Sequence, residues 1–273
     1  MPNTTTSWQG SRKREQRERT LKLIWHLARN DFKTKYAGSY LGIIWAFVQP
    51  VVTILVYWFV FSVLRAHAVR EVPFVLWLMA GLVPWFYFQE ALNSGSNALI
   101  EYSYLVKKVV FQIEILPVVK LCSALFVHLF FVCVVIILYT VSGHFPGITV
   151  LQVFYYSGSL FVLVYALTSL TSAVVVFFRD LTQIIAIFLQ VGVWMTPIMW
   201  NFDDLHFGRF LTYLFKLNPM YYIVSGYRDS LIDRRWFWER PVLSLYFWGF
   251  TMLVLLLGKR AFGRLRVHFA DVL

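Results

Sequence analysis

The side chains of this sequence that could bind a ligand are basic and aromatic, and they lie close together between positions 29 and 45. The basic residues and then the aromatic ones are Arg29, Lys33, Lys35, Tyr36, Tyr40 and Trp45. Cationic groups bind phosphate strongly where water is partly excluded. Aromatic rings stack on the C–H faces of sugars, and tyrosine hydroxyls bond to sugar hydroxyls. The cluster could therefore bind phosphate and sugar. Alternatively, its positive charges serve only to orient the chain in a membrane.

These residues stand at the start of a long apolar segment. The chain has 273 residues, of which 59% are hydrophobic and 14% are charged, whereas soluble proteins carry roughly 25% charged residues. Five windows contain no Asp, Glu, Lys or Arg, namely 36–64, 72–89, 121–178, 181–202 and 241–258. About 20 apolar residues cross a bilayer as a helix. The turn sequence SGHFPG at 142–147 divides the third window into two crossings.

An all-α integral membrane protein with six transmembrane helices is therefore predicted. The spans are expected at about 41–64, 73–93, 114–141, 149–178, 182–200 and 241–260. Residues 1–35 form a cytoplasmic N-terminus, 36–262 the transmembrane domain and 263–273 a cytoplasmic tail. The first 20 residues lack the apolar core of a signal peptide, so the first crossing is expected to direct the chain to the membrane.

The distribution of Lys and Arg predicts the orientation. Six crossings place both ends on one side, and that side then carries sixteen of the 25 basic residues, against eight on the other. Basic residues favour the cytoplasmic side. We therefore expect a multi-pass protein of the bacterial inner or plasma membrane with both termini in the cytoplasm. The net charge of +11 follows this topology, so it does not indicate nucleic-acid binding.

Two further membrane elements are predicted. Leu21, Trp25, Ala28 and Phe32 recur at helical spacing, which is typical of an amphipathic helix lying on the membrane surface. Before the last span, the region 205–230 is apolar but is interrupted by Asn218-Pro219, which breaks a helix. We expect two re-entrant half-helices there, with an ordinary amphipathic surface loop as the alternative.

The sequence lacks three common motifs of nucleotide-binding and catalytic sites. The phosphate-binding pattern G-x-x-x-x-G-K-[ST], H-E-x-x-H and G-x-S-x-G do not occur. No catalytic site, metal site or cofactor of the chain's own is therefore predicted. Glu90, Glu114 and Lys120 lie near helix ends, where Lys can extend to the membrane surface. His128 lies deep in a span, and its expected role is a hydrogen-bonded core residue, with a proton relay as the alternative.

Four sequence stretches resemble signatures of one membrane-protein family. YAGSYLGIIWAFVQP at 36–50 resembles the first-crossing signature of ABC-2 type polysaccharide exporters. Arg179-Asp180 after VVVFF, QVGVWMTPIMW at 190–200 and LNPMYYIV at 217–224 resemble three further signatures in the family's order. The resemblance runs from about Leu21 to the C-terminus. Within the family, the sequence looks most like the wall teichoic acid translocation permease, with O-antigen and capsular polysaccharide exporters as the alternatives.

The resemblance implies partners and roles. Two copies of the chain would pair, and two separate ABC ATPase subunits would bind ATP and Mg beneath them. An undecaprenyl-diphosphate-linked polymer would enter at Arg29, Lys33 and Lys35 and pass Tyr36, Tyr40 and Trp45. Membrane lipid would surround the chain, and nucleic acid would not be a partner. The segment 98–111 would be the coupling helix on the ATPase, or otherwise a plain interfacial helix. Its expected contact residues are Leu99, Glu101, Tyr102, Tyr104, Lys107 and Lys108.

Two other classes remain as alternatives. A polyprenyl-phosphate glycosyltransferase would need paired acidic residues at a membrane face, and Asp203-Asp204 is the one adjacent pair in the sequence. A secondary carrier would need more ionisable residues deep in its spans. A P-loop ATPase encoded beside this chain would favour the exporter.

Overall fold

Helices form the regular structure of the chain. The computed structural model describes residues 4–64, 72–107, 112–200 and 208–273, and no strand occurs within these ranges. The helices are α1 (Thr4–Lys35), α2 (Trp45–Leu64), α3 (Phe74–Glu101), α4 (Ser103–Val106), α5 (Ile115–Val141), α6 (Gln152–Val175), α7 (Leu181–Met195), α8 (Arg209–Lys216), α9 (Pro219–Arg228), α10 (Pro241–Leu265) and α11 (Phe269–Val272).

Five of these helices are long and apolar enough to cross a membrane. With their flanking turns they cover Gly42–Val63, Phe74–Glu101, Ile115–Val141, Gly147–Val175 and Pro241–His268. These ranges correspond to five of the six predicted spans, so an integral membrane protein is confirmed.

The remaining predicted span, 182–200, corresponds to the shorter helix α7. It has 15 residues and is therefore about 22 Å long, whereas the apolar core of a bilayer is about 30 Å thick. The helix ends where Thr196 adopts an extended backbone, with φ −92° and ψ 132°. The next residue is Pro197, and a proline disfavours the helical conformation of the residue before it.

Helices α3 and α6 form the centre of the bundle. α3 packs against α5 and α6, and α6 also packs against α10. Many buried residues of α6 are small, among them Ser159, Ala166, Ser169 and Ala173, and small residues let membrane helices approach closely. At Gly258 of α10, a Cβ atom would lie 3.1 Å from the backbone oxygen of Ala166. α2 is the least buried of the five long helices.

The N-terminal helix α1 packs across α5. The rings of Trp25 and Phe126 meet edge to face at 5.4 Å, and Phe32 also packs on Phe126. Ala28 is fully buried. The predicted apolar face of this helix is thus partly covered by the protein itself, while Leu21 stays 65% exposed and available to lipid.

The region before the last span contains two short helices, α8 and α9. They are separated at Asn218, whose side chain accepts a hydrogen bond from the backbone N–H of Met220 at 3.0 Å and so caps α9. The predicted helix break is confirmed. α9 is largely buried against α3 and α6, whereas Phe210 and Tyr213 of α8 are exposed. Residues 205–207 of the predicted re-entrant region lie outside the described ranges.

Arg228 at the end of α9 holds three parts of the bundle together. Its guanidinium group donates hydrogen bonds to the carbonyl oxygens of Pro197 at 2.6 Å and Ile198 at 2.7 Å. It also lies 3.5 Å from the centre of the Trp77 ring in α3, which is a cation–π contact. The end of α7 is therefore fixed to both α9 and α3.

Candidate functional site

A cavity of about 590 Å³ lies between α2, α3, α5 and α7. This volume is in the range of small-ligand pockets, roughly 300–1,000 Å³. Its lining combines aromatic rings with side-chain amides, and the ones that matter chemically are Tyr57, Trp85, Trp194, Gln49, Gln89 and Gln190. Rings that can stack on sugar faces stand beside amides that can donate and accept hydrogen bonds.

Tyr36 connects this cavity with the end of α1, because it lines the cavity and directly follows Lys35. Burial raises the pKa of Tyr36, so its hydroxyl stays neutral at physiological pH. Of the other two predicted aromatic residues, Trp45 begins α2 and is 45% exposed, and Tyr40 is fully exposed. Neither lines the cavity. The structure thus brings one of the three predicted aromatic residues into the cavity.

The three predicted basic residues differ in their surroundings. Lys35 forms an ion pair with Glu90 of α3. Burial alone would lower the pKa of Lys35, but the attraction of Glu90 and the hydrogen bond to it, together with Tyr36 and Asp31, outweigh burial and raise the pKa above its ordinary value. Arg29 and Lys33 are exposed, and neither has an ion pair within the described residues. These two cations remain available to an anionic ligand.

His128 lies on the wall of the cavity and is held by hydrogen bonds. Its Nε2 atom lies 3.1 Å from the Ser157 hydroxyl and 3.1 Å from the Tyr227 hydroxyl. These two hydroxyls are 2.5 Å apart. The triangle fixes the imidazole ring, as expected for a core histidine.

A second cavity, of about 310 Å³, shares Tyr36 and Glu90 with the first. Its walls carry a set of charged and polar side chains, here called the ion cluster: Asp31, Glu101, Tyr102 and Lys120. Asp31 and Lys120 are buried. Lys120 was expected to extend to the membrane surface, and that expectation is wrong. Its side chain is 9% exposed and contacts two carboxylates, because a buried ammonium group needs nearby anions.

The predicted coupling segment is divided between buried and exposed residues. Leu99 belongs to α3, which continues to Glu101. The Leu99 side chain is fully buried and lies in one hydrophobic cluster with Val106 of α4 and Leu116 of α5. Glu101 and Tyr102 are part of the ion cluster. Tyr104 is 59% exposed and Lys107 is also exposed. The described part of the segment is thus the end of α3 and the four-residue helix α4, and Lys108 lies outside the described residues.

Sequence reasoning missed the roles of Asp31 and Glu90. Both are ordinary charged residues in the sequence, and their partners are far along the chain: Lys120 for Asp31 and Lys35 for Glu90. A signal was available for Lys120, which directly precedes a charge-free window of the sequence. No group of three or more His, Cys, Asp or Glu side chains within the described ranges could hold a metal ion.

Comparison with known proteins agrees with this architecture. The sequence profile of the ABC-2 type transporter family matches residues 22–232. The chain is similar to the O-antigen export system permease protein RfbA of Myxococcus xanthus, with 26% identity over 91% of this chain and 94% of the relative. A protein of the same name from Klebsiella pneumoniae is 24% identical over 90% of this chain and 93% of the relative. The chain is therefore a multi-pass membrane protein that belongs to the ABC-2 type transporter family.

Proposed function

We propose that this chain is the membrane subunit of an ATP-driven exporter that moves a lipid-linked cell-surface polysaccharide out of the cytoplasm. The observation that carries the proposal is the cavity between α2 and α7, whose rings and amides suit a glycan. The relatives named as O-antigen export permeases favour an O-antigen-type polysaccharide. Wall teichoic acid, to which the signatures look most similar, is the second candidate.

We propose that a separate ATP-binding protein is the energy source, since the chain belongs to the ABC-2 type transporter family and these 273 residues contain no phosphate-binding loop. We expect two ABC ATPase subunits, which bind ATP and Mg, beneath two copies of this chain. The exposed residues Tyr104 and Lys107 are the proposed contacts with the ATPase. Buried Leu99 and Val106 would instead hold the segment on the bundle.

The proposed pairing of two copies rests on the outer faces of α2 and α7. Val52, Leu55 and Phe59 of α2 are half or more exposed, as are Ile187 and Phe188 of α7. Both helices line the cavity, so a second copy against these faces would join two cavities into one path. We propose that the polymer follows this path and that Trp45 lies along it.

The proposed topology has six crossings. α7 serves as a short fifth crossing, with α8 and α9 as re-entrant half-helices after it. An even number of crossings keeps the basic N-terminus and tail on the cytoplasmic side. Irregular backbone within a membrane must be shielded by protein, and the burial of α9 against α3 and α6 supports this arrangement.

We propose that the diphosphate end of the substrate meets Arg29 and Lys33. They lie one helical turn apart on α1, so their cationic groups point to the same side. Lys35 contributes less charge because Glu90 neutralises it. The glycan would then pass Tyr36 into the cavity.

Reconstitution tests the proposal. The chain is co-expressed with the ABC ATPase encoded beside it, and the complex is placed in liposomes. Polyprenyl-diphosphate-linked O-antigen is expected to stimulate ATP hydrolysis and to cross the membrane, while the permease alone shows neither activity. Stimulation by teichoic acid polymer and not by O-antigen would reassign the substrate. Formation of glycosidic bonds by the permease alone would support a glycosyltransferase and overturn the exporter.

A further inference from the structure

Lys120 of α5 joins two other elements of the bundle through its ammonium group. Its Nζ atom lies 2.6 Å from Oδ1 of Asp31 in α1. The same atom contacts Oε2 of Glu101 at the end of α3. Lys120 and Asp31 are buried, while the side chain of Glu101 is half exposed. One cation thus bridges the N-terminal helix and residues 101–107, which comprise the last residue of α3 and the segment after it and are here called the elbow.

Tyr102 adds a second connection between the same two elements. Its hydroxyl group donates a hydrogen bond of 2.7 Å to Oδ1 of Asp31. Its ring lies 5.0 Å from the Lys120 ammonium group, within the range of a cation–π contact. Burial and the hydrogen bond to Asp31 raise the pKa of Tyr102, so the hydroxyl remains a donor. The elbow therefore holds α1 through both Glu101 and Tyr102.

The charges of the ion cluster argue against a second phosphate site. One ammonium group faces two carboxylates, so the cluster carries a net negative charge. The neighbouring ion pair of Lys35 and Glu90 also lines this second cavity and adds no net charge to it. A phosphate would be repelled there. The arrangement instead suits a fixed connection between helices, since charge-assisted hydrogen bonds are short and strongly oriented.

The connection is asymmetric, because both carboxylates depend on the same cation. If Lys120 loses its charge, Asp31 and Glu101 face each other without a counter-ion and repel. If Glu101 alone is neutralised, Lys120 still binds Asp31. Loss of Lys120 should therefore leave only the hydrogen bond from Tyr102 to Asp31 between α1 and the elbow, whereas loss of Glu101 should weaken the contact only in part.

We propose that Lys120 is the positioning residue that makes α1 and the elbow move as one body. The inference rests on the proposed function, in which an ATPase moves the elbow. α1 leads directly to Lys35 and Tyr36 at the edge of the cavity. A displacement of the elbow is thus passed through the ion cluster to α1 and to the entrance for the substrate.

The first test measures polymer exported per ATP hydrolysed by the reconstituted complex. Lys120→Met is expected to lower this ratio about tenfold, the scale of typical coupling energies. Glu101→Gln should lower it by about twofold or less, and Lys120→Arg should preserve it. Arg266→Met is the matched control, since it removes an exposed ion pair with Glu114 at the same end of α5. Equal ratios for Lys120→Met and Arg266→Met would overturn the inference.

The second test measures the distance between α1 and the elbow directly. Spin labels are placed at Asn30→Cys and Ser103→Cys in a chain whose Cys122 and Cys133 are changed to serine. The distance distribution should be the same with and without an ATP analogue in the otherwise wild-type chain. With Lys120→Met it should broaden or shift when the analogue binds. An unchanged distribution in that variant would contradict the proposed role.

The triple variant Asp31→Asn, Glu101→Gln, Lys120→Met covers the case in which the single variant does not fold. Replacing a whole buried ion network is often tolerated, while removing one partner is not. The triple variant should assemble and hydrolyse ATP but export little polymer. Wild-type export by this variant would overturn the inference. A wild-type complex that neither hydrolyses ATP nor exports polymer would instead remove the proposed function.

Discussion

Lys35 and Glu90 form an ion pair between residues 55 positions apart in the sequence, at the C-terminal end of α1 and inside α3. The pair fixes the point at which the chain leaves the N-terminal helix and enters the cavity wall. Both side chains are about two-fifths exposed, so the pair contributes at most about 1 kcal/mol to stability. Its main effect is to place Tyr36, the next residue, against the cavity.

Reversing the charge of this pair gives the first prediction. Lys35→Glu brings two carboxylates together, which should lower the melting temperature of the detergent-purified protein by a few degrees and reduce export. The double variant Lys35→Glu, Glu90→Lys restores the attraction and should recover both properties. A double variant no better than the single one would show that the pair does not position the chain.

The second prediction separates substrate binding from membrane orientation. Lys22 and Lys33 both lie on α1 and are both exposed, and they are about 16 Å apart along the helix axis. Lys33→Glu should reduce the stimulation of ATP hydrolysis by lipid-linked polymer severalfold, because phosphate contacts are charge-assisted.

Lys22→Glu is the matched control for this prediction. It changes the charge of the cytoplasmic side by the same amount but lies far from the proposed entrance, so stimulation should stay near the wild-type value. Equal losses in both variants would mean that the residues serve only to orient the chain. Protein level in the membrane is measured for both.

The third prediction concerns the glycan-binding character of the cavity. Gln190→Leu removes an amide from the cavity wall and should raise the polymer concentration needed for half-maximal stimulation about tenfold, the scale for a lost hydrogen bond in a binding site. Gln183→Leu changes an exposed residue of the same helix outside the lining and should have little effect. Matching values for the two variants would exclude Gln190 from the path.

The fourth prediction tests the packing of α9 against α6. A Cβ atom at Gly226 would lie 2.1 Å from Cε1 of Tyr156, so Gly226→Ala forces the ring or the helix to move. Overpacking of this kind costs typically 1–3 kcal/mol or more, and we expect little folded protein by size-exclusion chromatography. Gly249→Ala, where no atom lies within 4 Å, should fold normally. Normal folding of Gly226→Ala would show that α9 is not packed as described.

Much of the membrane architecture could be predicted from the sequence because the rule for it is local. A helix that crosses a bilayer needs a run of residues without charge, and the charge-free windows correspond to the long helices. The break at Asn218-Pro219 was also predicted, since proline and a capping side chain act on adjacent residues. The end of α7 before Pro197 follows the same local logic, although the sequence prediction extended that span to residue 200.

The ion pairs could not be predicted, because they join residues that only packing brings together. Lys120 was expected near the membrane surface, yet it is buried between Asp31 and Glu101, 89 and 19 residues away. Leu99 has an apolar side chain that could face a partner or the core, and only the packing of α3 and α5 places it inside.

The sequence by itself determined that the chain lies in a membrane and approximately where its long helices run, and it contains no phosphate-binding loop for ATP. The tertiary structure decided which charges are neutralised and which remain available. Lys35 and Arg29 have the same formal charge in the sequence. In the folded chain, however, Lys35 forms an ion pair with Glu90, whereas Arg29 is exposed to solvent. The physical reason is that a charge acts on its neighbours in space over a few ångströms, and those neighbours are chosen by the packing of helices distant in the chain.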